Sequence, residues 1–359
     1  MKRGVQIFYI MVFAALLLLP MCFLIAGMVN GNEWEGTGDK TAEEIPFAVE
    51  EYAGKHLPLR KQLLYANGWF FLNVLHQSPS NDVVMGKDDW FFYKGKQDQI
   101  EDPLSDYTGA NLFTEEQLMR IADNMTASYE TAKAAGAGFV VVLAPNKERI
   151  YHDYMPEDYG LPAEHCRLNQ VYAYLKEHTE VPVVNVTQAL ADHRKAYPED
   201  RLYIKSDTHW NIEGAYIASD VARAALSLPE LPKPETLSRS EVNPPETDLA
   251  HLMGVDGYYG NVKEEMLNGY SPYTLTRVLD GVTEQRFVNE AGNAPYGKMF
   301  ITGDSFSVGM MKYLACDFND VYMTFHYKYD SGMIAEYRPD IIVYEVLERF
   351  LGYMETFRL

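Results

Sequence analysis

Cysteine is rare in this sequence, with only three in 359 residues. Cys22 falls inside a long apolar run, which leaves Cys166 and Cys316 for a folded domain. Two cysteines do not make the disulfide framework of a small secreted protein. They could pair in an oxidising compartment or remain separate buried thiols, and the sequence leaves both alternatives open.

Positive charge is also scarce. The chain has 31 Lys and Arg against 51 Asp and Glu, a formal net charge of −20. Such a chain is a poor partner for nucleic acid, because nucleic-acid binding depends on neutralising phosphates. The same acidity argues against a strongly polyanionic ligand unless a local basic patch offsets it. With 47% hydrophobic residues, the composition is that of a folded, acidic domain.

A recognisable set of metal ligands is missing as well. Asp207 and His209 lie two residues apart, but no third ligand follows at the spacing of a known metal site. His165, His178 and His193 are scattered along the chain and are predicted to be surface residues. The sequence therefore predicts neither a metal nor another cofactor.

The first 30 residues contain one long apolar run, from Val5 to Val29, preceded by Lys2 and Arg3. About 25 residues that rise about 1.5 Å each can cross a hydrocarbon core of about 30 Å. By the positive-inside rule the basic end is cytoplasmic, so a single span is predicted to anchor an extracytoplasmic domain to the cell membrane. A signal peptide cleaved near Val29-Asn30-Gly31 is the alternative, although the run is longer than a usual signal-peptide core.

The rest of the pattern predicts how the chain is organised. Residues 1–30 form the anchor, 31–45 a polar linker and 46–359 one domain. Apolar β-branched runs alternate with helical periodicity, which predicts an α/β fold with a parallel sheet covered on both faces. The stretch 83–93 is predicted to be a hairpin whose aromatic residues are core, and 226–249 a surface loop. Strands are predicted at 139–143, 181–186, 298–302, 321–325 and 341–346, and helices at 114–135, 167–178, from 187 and at 212–226.

Two short stretches carry the candidate chemistry. Gly303-Asp304-Ser305 ends an apolar run just before a helical stretch, a junction that exposes a serine hydroxyl beside the N–H groups of a helix N-terminus. About a hundred residues earlier, Asp207 and His209 have the spacing that puts two side chains on one face of an extended segment. They would supply the acid and base that a serine needs. A turn with an N-cap serine, and a buried structural histidine beside an N-terminal helix charge, are the alternatives.

Five further residues are candidates for binding substrate. Asn146 and Lys147 follow the strand at 139–143, and ligands of parallel sheets gather at the carboxyl ends of strands. Trp210 adjoins the candidate base, and Tyr258 belongs to the aromatic, glycine-rich stretch 254–260. Arg349 follows the last predicted strand and could anchor an acidic group or an oxyanion. The alternatives are turn chemistry for the first two, a β-turn cluster for the stretch around Tyr258, and a solvated side chain for Arg349.

Four blocks together resemble a known family, and they cover most of the predicted domain. They are Gly303-Asp304-Ser305-Phe306, Asp207-Thr208-His209-Trp210-Asn211, the hairpin block 84–93 and the block 144–151. The sequence is similar to the SGNH-hydrolase-like polysaccharide O-acetyltransferases, the family of the alginate O-acetyltransferases AlgJ and AlgX. In ordinary SGNH esterases the serine block comes first, whereas here it follows the D-x-H pair, as in the permuted arrangement of this family. The resemblance does not extend to the carbohydrate-binding domain of the alginate enzymes, so the polymer is left open.

The resemblance implies a fold, a site and partners. It implies a three-layer α/β/α domain in which Ser305 is the nucleophile, His209 the general base and Asp207 its orienting acid. It also implies a polysaccharide acceptor and an acetyl donor that a multi-spanning membrane acyltransferase passes across the membrane. The expected function is therefore O-acetylation of an exopolysaccharide or cell-wall polymer outside the cytoplasm. A carbohydrate acetylesterase with the same triad and a non-catalytic polysaccharide-binding assembly protein are the alternatives.

Overall fold

The computed structural model describes residues 3–30, 41, 43–95, 102–242, 247–255, 264–268 and 270–359. The chain forms two compact units, Met1–His76 and Gln77–Leu359. The predicted division into 1–30, 31–45 and 46–359 has no boundary at residue 76, and most of its linker lies outside the described residues. That division therefore stays a prediction.

The described part of the first unit is helical. It consists of α1 (Arg3–Val29), α2 (Glu44–His56) and α3 (Arg60–Phe70), and α3 continues into a π-helical turn at Phe71–Leu75. α1 runs through Pro20 without a break, and its most apolar part has a mean hydropathy of 2.6. Length and composition allow this helix to cross a membrane, and a signal sequence would share both properties.

The second unit is built around a seven-stranded sheet. Its strands and those of two small sheets are β1 (Val83–Met85), β2 (Phe91–Tyr93), β3 (Gly138–Ala144), β4 (Val183–Asn185), β5 (Arg239–Val242), β6 (Glu264–Leu267), β7 (Thr276–Asp280), β8 (Glu284–Val288), β9 (Tyr296–Gly303), β10 (Phe318–Phe325) and β11 (Ile341–Leu347). The large sheet has the order β4-β3-β11-β9-β10-β8-β7. Its first five strands run parallel, β8 runs antiparallel to β10, and β7 runs antiparallel to β8.

Helices cover both faces of this sheet, as the α/β prediction requires. They are α4 (Pro103–Thr108), α5 (Glu115–Ala134), α6 (Lys147–Ile150), α7 (Arg167–His178), α8 (Thr187–Ala196), α9 (Ile212–Ala225), α10 (Asp248–Leu252), α11 (Phe306–Leu314) and α12 (Gly332–Tyr337), with 3-10 turns at His152–Tyr154, Glu157–Tyr159, Pro234–Thr236, His326–Lys328 and Glu348–Glu355. Val140 and Val142 of β3 belong to a core closed by α8, α9 and α11. Phe139, Val141 and Leu143 belong to a second core closed by α5, α7 and α12. Burial on both faces explains why this strand is apolar without interruption.

Several local predictions are confirmed. α5 begins with a capping box in which Thr114 and Gln117 exchange hydrogen bonds between side chain and backbone. β1 and β2 form the predicted hairpin, and Asp88 and Asp89 in its turn have the positive φ angles that such a turn needs. Trp90 stacks on Tyr151 with ring centroids 4.0 Å apart, so this aromatic side chain is core. For Cys166 and Cys316 the sequence left two alternatives open, and in the structure they are separate, buried thiols.

Two predictions about the second unit differ from the structure. The sheet was predicted to be parallel, but it is mixed because the hairpin β7–β8 adds an antiparallel edge. β7 is exposed along its whole length, so its sequence lacks the apolar run that marks a buried strand. The stretch 226–249 was predicted to be a surface loop, but it contains β5 and the first two residues of α10.

The parallel strands determine where a site can form. β3, β11 and β9 are neighbours and run in the same direction, so their carboxyl ends share one edge of the sheet. Pro145, Asp304 and Glu348 are the first residues beyond these three ends. Segments that are far apart in the sequence therefore meet at this edge, where ligands of parallel sheets commonly bind.

Candidate active site

Ser305 lies in a tight turn between β9 and α11, and the two residues before it hold it there. A Cβ at position 303 would collide with the Ser307 hydroxyl, so only glycine fits. Asp304 turns inward, and its carboxylate accepts hydrogen bonds from Phe306 N (2.9 Å) and Leu347 N (2.8 Å). Because Asp304 supplies the acceptor at this helix start, the Ser305 hydroxyl makes no capping bond.

The Ser305 hydroxyl instead meets His209 at the surface of the domain. Ser305 Oγ and His209 Nε2 are 2.7 Å apart. On the other side of the ring, His209 Nδ1 lies 2.7 Å from Asp207 Oδ1, which also accepts the His209 backbone N–H at 2.8 Å. Asp207, His209 and Ser305 thus form one continuous hydrogen-bonded row, the arrangement of a Ser-His-Asp triad. Their catalytic roles stay a prediction.

The local geometry that brings Asp207 to His209 differs from the predicted one. The prediction placed both residues in an extended segment, but Ser206–His209 is a turn, closed by a bridge between Tyr203 and Trp210. Within this turn the Asp207 side chain folds back over the His209 backbone N–H. The D-x-H spacing therefore works through a side-chain-to-backbone bond two residues on, a common turn conformation for aspartate.

Burial and hydrogen bonding shift the pKa values of this pair in opposite directions. Burial alone would raise the pKa of Asp207, but hydrogen bonds from His209 and Asp248 outweigh it and hold that pKa below its ordinary value. Burial alone would lower the pKa of His209, but its bond to Asp207 and the charges of Asp207 and Asp248 raise it above its ordinary value. An ionised acid therefore faces an imidazole of increased basicity, which suits a general base.

A second acid, which sequence reasoning missed, lies beside the row. Asp248 Oδ1 accepts the Thr208 N–H at 2.7 Å, and its Oδ2 accepts the Thr208 hydroxyl and lies 3.8 Å from His209 Nδ1. The backbone N–H of Asp248 donates to Asp207 Oδ2 at 2.9 Å. Thr247 and Asp248 before the apolar pair at 249–250 are a helix-start signal that could have placed this residue at a helix N-terminus.

The row lies in an open cavity of about 940 Å³ at the carboxyl edge of the sheet. That volume is at the upper end of the range for small-molecule pockets, so it can hold at least a sugar residue together with an acyl group. The cavity is lined by Asp82, Tyr93, Ile204, Asp207, Thr208, His209, Trp210, Thr247, Asp248, His251, Leu252, Val282, Gln285, Ser305, Val308, Gly309, Phe325, Arg349 and Phe350.

Two of the five predicted substrate-binding residues line this cavity. Trp210 is almost fully buried, and its indole N–H donates to Phe306 O at 3.2 Å, so it also braces the turn of the serine. The Arg349 guanidinium lies over the rings of Tyr93 and Phe350 and contacts the Thr208 hydroxyl at 3.4 Å. Arg349 is therefore half-buried in the wall, not a solvated side chain.

The other three predicted residues are not part of the described wall. Lys147 is buried, and its Nζ donates to the carbonyl oxygens of Ile204 (3.2 Å), Lys205 (3.1 Å) and Asp207 (2.5 Å). Asn146 is buried as well, and its backbone N–H donates to Glu348 Oε2. Neither residue belongs to the described cavity lining. Three carbonyl acceptors hold Lys147, whereas neither polar atom of the Asn146 side chain has a hydrogen-bond partner among the described residues. A substrate-binding role for these two residues stays a prediction. Tyr258 lies outside the described residues.

Two groups of side chains in the described part of the chain have the geometry of metal ligands. The first is Asp207, His209 and Asp248, whose atoms already bond one another or Thr208. The second is His193, Asp200 and Glu213, and the Arg239 guanidinium bonds both of its acids. His193 was predicted to be a surface residue, but its side chain is only 9% exposed because α8 packs against α9.

Comparison with known proteins gives one family. The model of the family described as "SGNH hydrolase-like domain, acetyltransferase AlgX" matches residues 83–319, about two thirds of the chain. The chain is also similar to two proteins named probable alginate O-acetylase AlgJ. The protein from Pseudomonas putida is 22% identical over 61% of this chain and 54% of its own length. The protein from Pseudomonas syringae pv. tomato is 23% identical over 73% of this chain and 64% of its own length. The chain thus spans less than two thirds of either relative.

A solved structure agrees with this at the level of the fold. A DHHW family protein from Eubacterium siraeum superimposes with a TM-score of 0.52 at 14% identity, over 69% of this chain and 91% of the other. The resemblance predicted from the four sequence blocks is confirmed by the family match, which contains the hairpin, the D-x-H turn and Ser305. The chain belongs to the family of SGNH hydrolase-like acetyltransferases represented by AlgX.

Proposed function

We propose that this protein is an extracytoplasmic O-acetyltransferase that moves acetyl groups onto hydroxyls of an exopolysaccharide or cell-wall polymer. The observation that carries the proposal is the row Asp207–His209–Ser305, with both hydrogen bonds at 2.7 Å, on the wall of an open cavity. Family membership and the names of the two AlgJ relatives support the choice of acetyl transfer onto a polysaccharide.

The first step forms an acyl-serine. Asp207 accepts a hydrogen bond from the Nδ1–H of His209, which leaves Nε2 as the acceptor toward the Ser305 hydroxyl. His209 Nε2 takes the hydroxyl proton as Ser305 Oγ attacks the acetyl carbonyl carbon of the donor. The N-terminus of α11 lies at Ser305, so the helix dipole favours the negative charge that develops on the acetyl carbonyl oxygen during the attack. When the bond to the donor's leaving group breaks, protonated His209 returns the proton to that group.

The second step uses the same three residues in reverse. A sugar hydroxyl in the cavity gives its proton to His209 Nε2, and its oxygen attacks the acetyl carbon on Ser305. The bond to Ser305 Oγ breaks, the serine regains its proton from His209, and the acetylated sugar leaves. Trp210 and Arg349 would contact the substrates from the wall, and Tyr258 remains a candidate for the same role.

A site outside the cytoplasm would limit which acetyl donor can reach Ser305. An N-terminal helix able to span the membrane would keep the site at the outer surface, where cytoplasmic acetyl donors are absent. A multi-spanning acyltransferase that carries acetyl groups across the membrane is therefore the proposed donor partner, and the membrane itself the proposed anchor.

The test separates transfer from hydrolysis. The purified full chain is incubated in detergent with a small acetyl ester, with and without candidate oligosaccharides, while acetate release and acetylated sugar are followed by mass spectrometry. The acetylated fraction is expected to rise with acceptor concentration, because a bound sugar hydroxyl replaces water at the acyl-serine. Ser305→Ala provides the matched control and should abolish both products.

Two other outcomes would replace this proposal with a different function. If acetylated polymer from the native host loses acetyl groups rapidly while no unacetylated polymer gains any, the protein is an acetylesterase. If no ester turnover depends on Ser305 but polymer still binds, the protein is a binding or assembly protein.

A further inference from the structure

Asp248 makes contacts that the two-step mechanism does not explain. It is the first residue of α10, and it reaches both residues that precede His209. Its backbone N–H donates to Asp207 Oδ2, and its carboxylate accepts the Thr208 N–H and hydroxyl. Asp248 thus holds the turn 206–209 from outside, across 40 residues of sequence.

The same carboxylate faces the imidazole of His209. Asp248 Oδ2 lies 3.8 Å from Nδ1, the nitrogen that also bonds Asp207. The Nδ1 side of the ring therefore faces two acids, one from its own turn and one from α10. Burial and the charge of Asp207 raise the pKa of Asp248 above its ordinary value, whereas the two hydrogen bonds from Thr208 and the nearby His209 oppose that rise and favour the ionised carboxylate.

Three other polar side chains, each from a different element, line the cavity around His209. Arg349, beyond β11, acts to lower the pKa of His209, opposite in sign to the two acids. Ser305, beyond β9, meets Nε2 with a neutral hydroxyl. His251, one turn further along α10, lines the same cavity. Asp248 is thus the charge from a separate element that opposes Arg349 at the ring.

We infer that Asp248 is a second acid of this site, a positioning residue that fixes the Asp207–His209 turn and adds a second negative charge beside the imidazole. This inference rests on the proposed function, since it assigns a role in setting the basicity of the proposed base. Its consequence is a three-membered acid–acid–histidine group in which the pH at which His209 becomes active depends on α10.

The test is the pH dependence of ester turnover by the full chain carrying Asp248→Asn. Asparagine keeps the shape, its oxygen can still accept the Thr208 N–H, and its amide can donate to the Thr208 hydroxyl, so the charge is the main loss. The acid limb of kcat/KM reports the pKa of the free enzyme's base. This limb is expected to move to lower pH by about 0.8 units, the effect of a unit charge 3.8 Å away at the dielectric constant of water.

Three further variants make the test specific. Asp248→Ser removes the same charge with a residue that suits a helix start, and it should show the same shift. Asp248→Glu keeps the charge and should leave the limb at its wild-type pH even if the rate falls. Asp82→Asn removes another acid from the cavity wall that makes no bond to the turn, and it should leave the limb in place.

The outcomes separate this inference from the proposed function. Turnover that survives Ser305→Ala overturns the proposed function itself. Turnover that depends on Ser305, with an acid limb that coincides in wild type, Asp248→Asn and Asp248→Ser, overturns the role of Asp248 alone. A limb that moves in the two neutral variants and returns in Asp248→Glu is the result expected.

Discussion

Replacing Asp207 by asparagine tests the row of hydrogen bonds most directly. Three N–H donors converge on this carboxylate: His209 N and Nδ1 on Oδ1, and Asp248 N on Oδ2. An aspartate can accept all three, whereas an asparagine has one oxygen and one NH₂ group. Whichever way the amide turns, at least one donor must face another donor.

The two orientations of this asparagine predict different losses. If the asparagine oxygen faces His209, the imidazole keeps its tautomer but no longer faces a negative charge. The hydrogen bond to the imidazolium is then weaker by about 2–3 kcal/mol, or roughly a hundredfold in rate. With its NH₂ toward His209, Nδ1 must accept and Nε2 carries the proton, so His209 cannot take the proton of Ser305. In known Ser-His-Asp triads that error costs about 10⁴-fold. We therefore expect kcat to fall between about 10²- and 10⁴-fold.

The assay is the initial rate of acetate release from a small acetyl ester across a range of pH. Asp82→Asn is the matched control, because this acid lines the same cavity without bonding His209. A thermal melt of each variant checks that the fold survives, since the buried donor pair at Asp248 N costs about 1–3 kcal/mol. Asp207→Asn with more than a tenth of the wild-type kcat would refute the triad.

Three further predictions follow from other parts of the chain. Gly303→Ala should lower the free energy of unfolding by about 2–4 kcal/mol, because the new Cβ meets the Ser307 hydroxyl. Gly54→Ala is the control and should not destabilise the protein, because this glycine lies on a helix with open space around it. Equal urea midpoints for the two variants would contradict the prediction. Burial raises the pKa of Glu148 from 4.5 to about 7, so the folded state binds this proton more tightly than the unfolded state does. The free energy of unfolding should therefore fall by on the order of 3 kcal/mol as the pH rises from 4.5 through 7. Urea titrations at several pH values should show a flatter pH dependence for Glu148→Gln, and an unchanged pH dependence would count against the prediction. A reporter fused after Leu359 should be active only outside the cytoplasm, with the full-length protein in the membrane fraction; a soluble form beginning near Gly31 would instead show a cleaved signal.

The sequence predicted those parts of the fold whose burial leaves a local pattern. β3 is apolar throughout because two helical layers cover it, and α5 begins at a capping box that can be read from Thr114 and Gln117. Gly303-Asp304-Ser305 could be recognised because the turn allows no side chain at its first position and needs an acceptor at its second. In each case neighbouring residues carry the whole physical reason.

What the sequence did not predict depends on residues far apart in the chain. β7 is exposed along its whole length, including its apolar residues Val278 and Leu279, and only its pairing with β8 makes it a strand. From its neighbours in the sequence, Lys147 resembles a solvated turn residue. In the fold, residues 204–207 lie over it and supply three carbonyl acceptors, and these residues are far from it in the sequence. Asp248 has no local feature that indicates its place beside His209, because α10 reaches the site only through tertiary packing.

The position of β11 has a consequence for when the site can form. β11 is the last strand in the chain, yet it lies inside the sheet between β3 and β9. β3 leads into Asn146 and β9 leads into the turn of Ser305, and these two strands cannot take their final spacing until β11 is inserted between them. Such long-range pairing is slow. A chain in which β11 has not yet paired is therefore expected to lack the assembled row of Asp207, His209 and Ser305, so the proposed acyl transfer would require residues up to Leu347 to have joined the sheet.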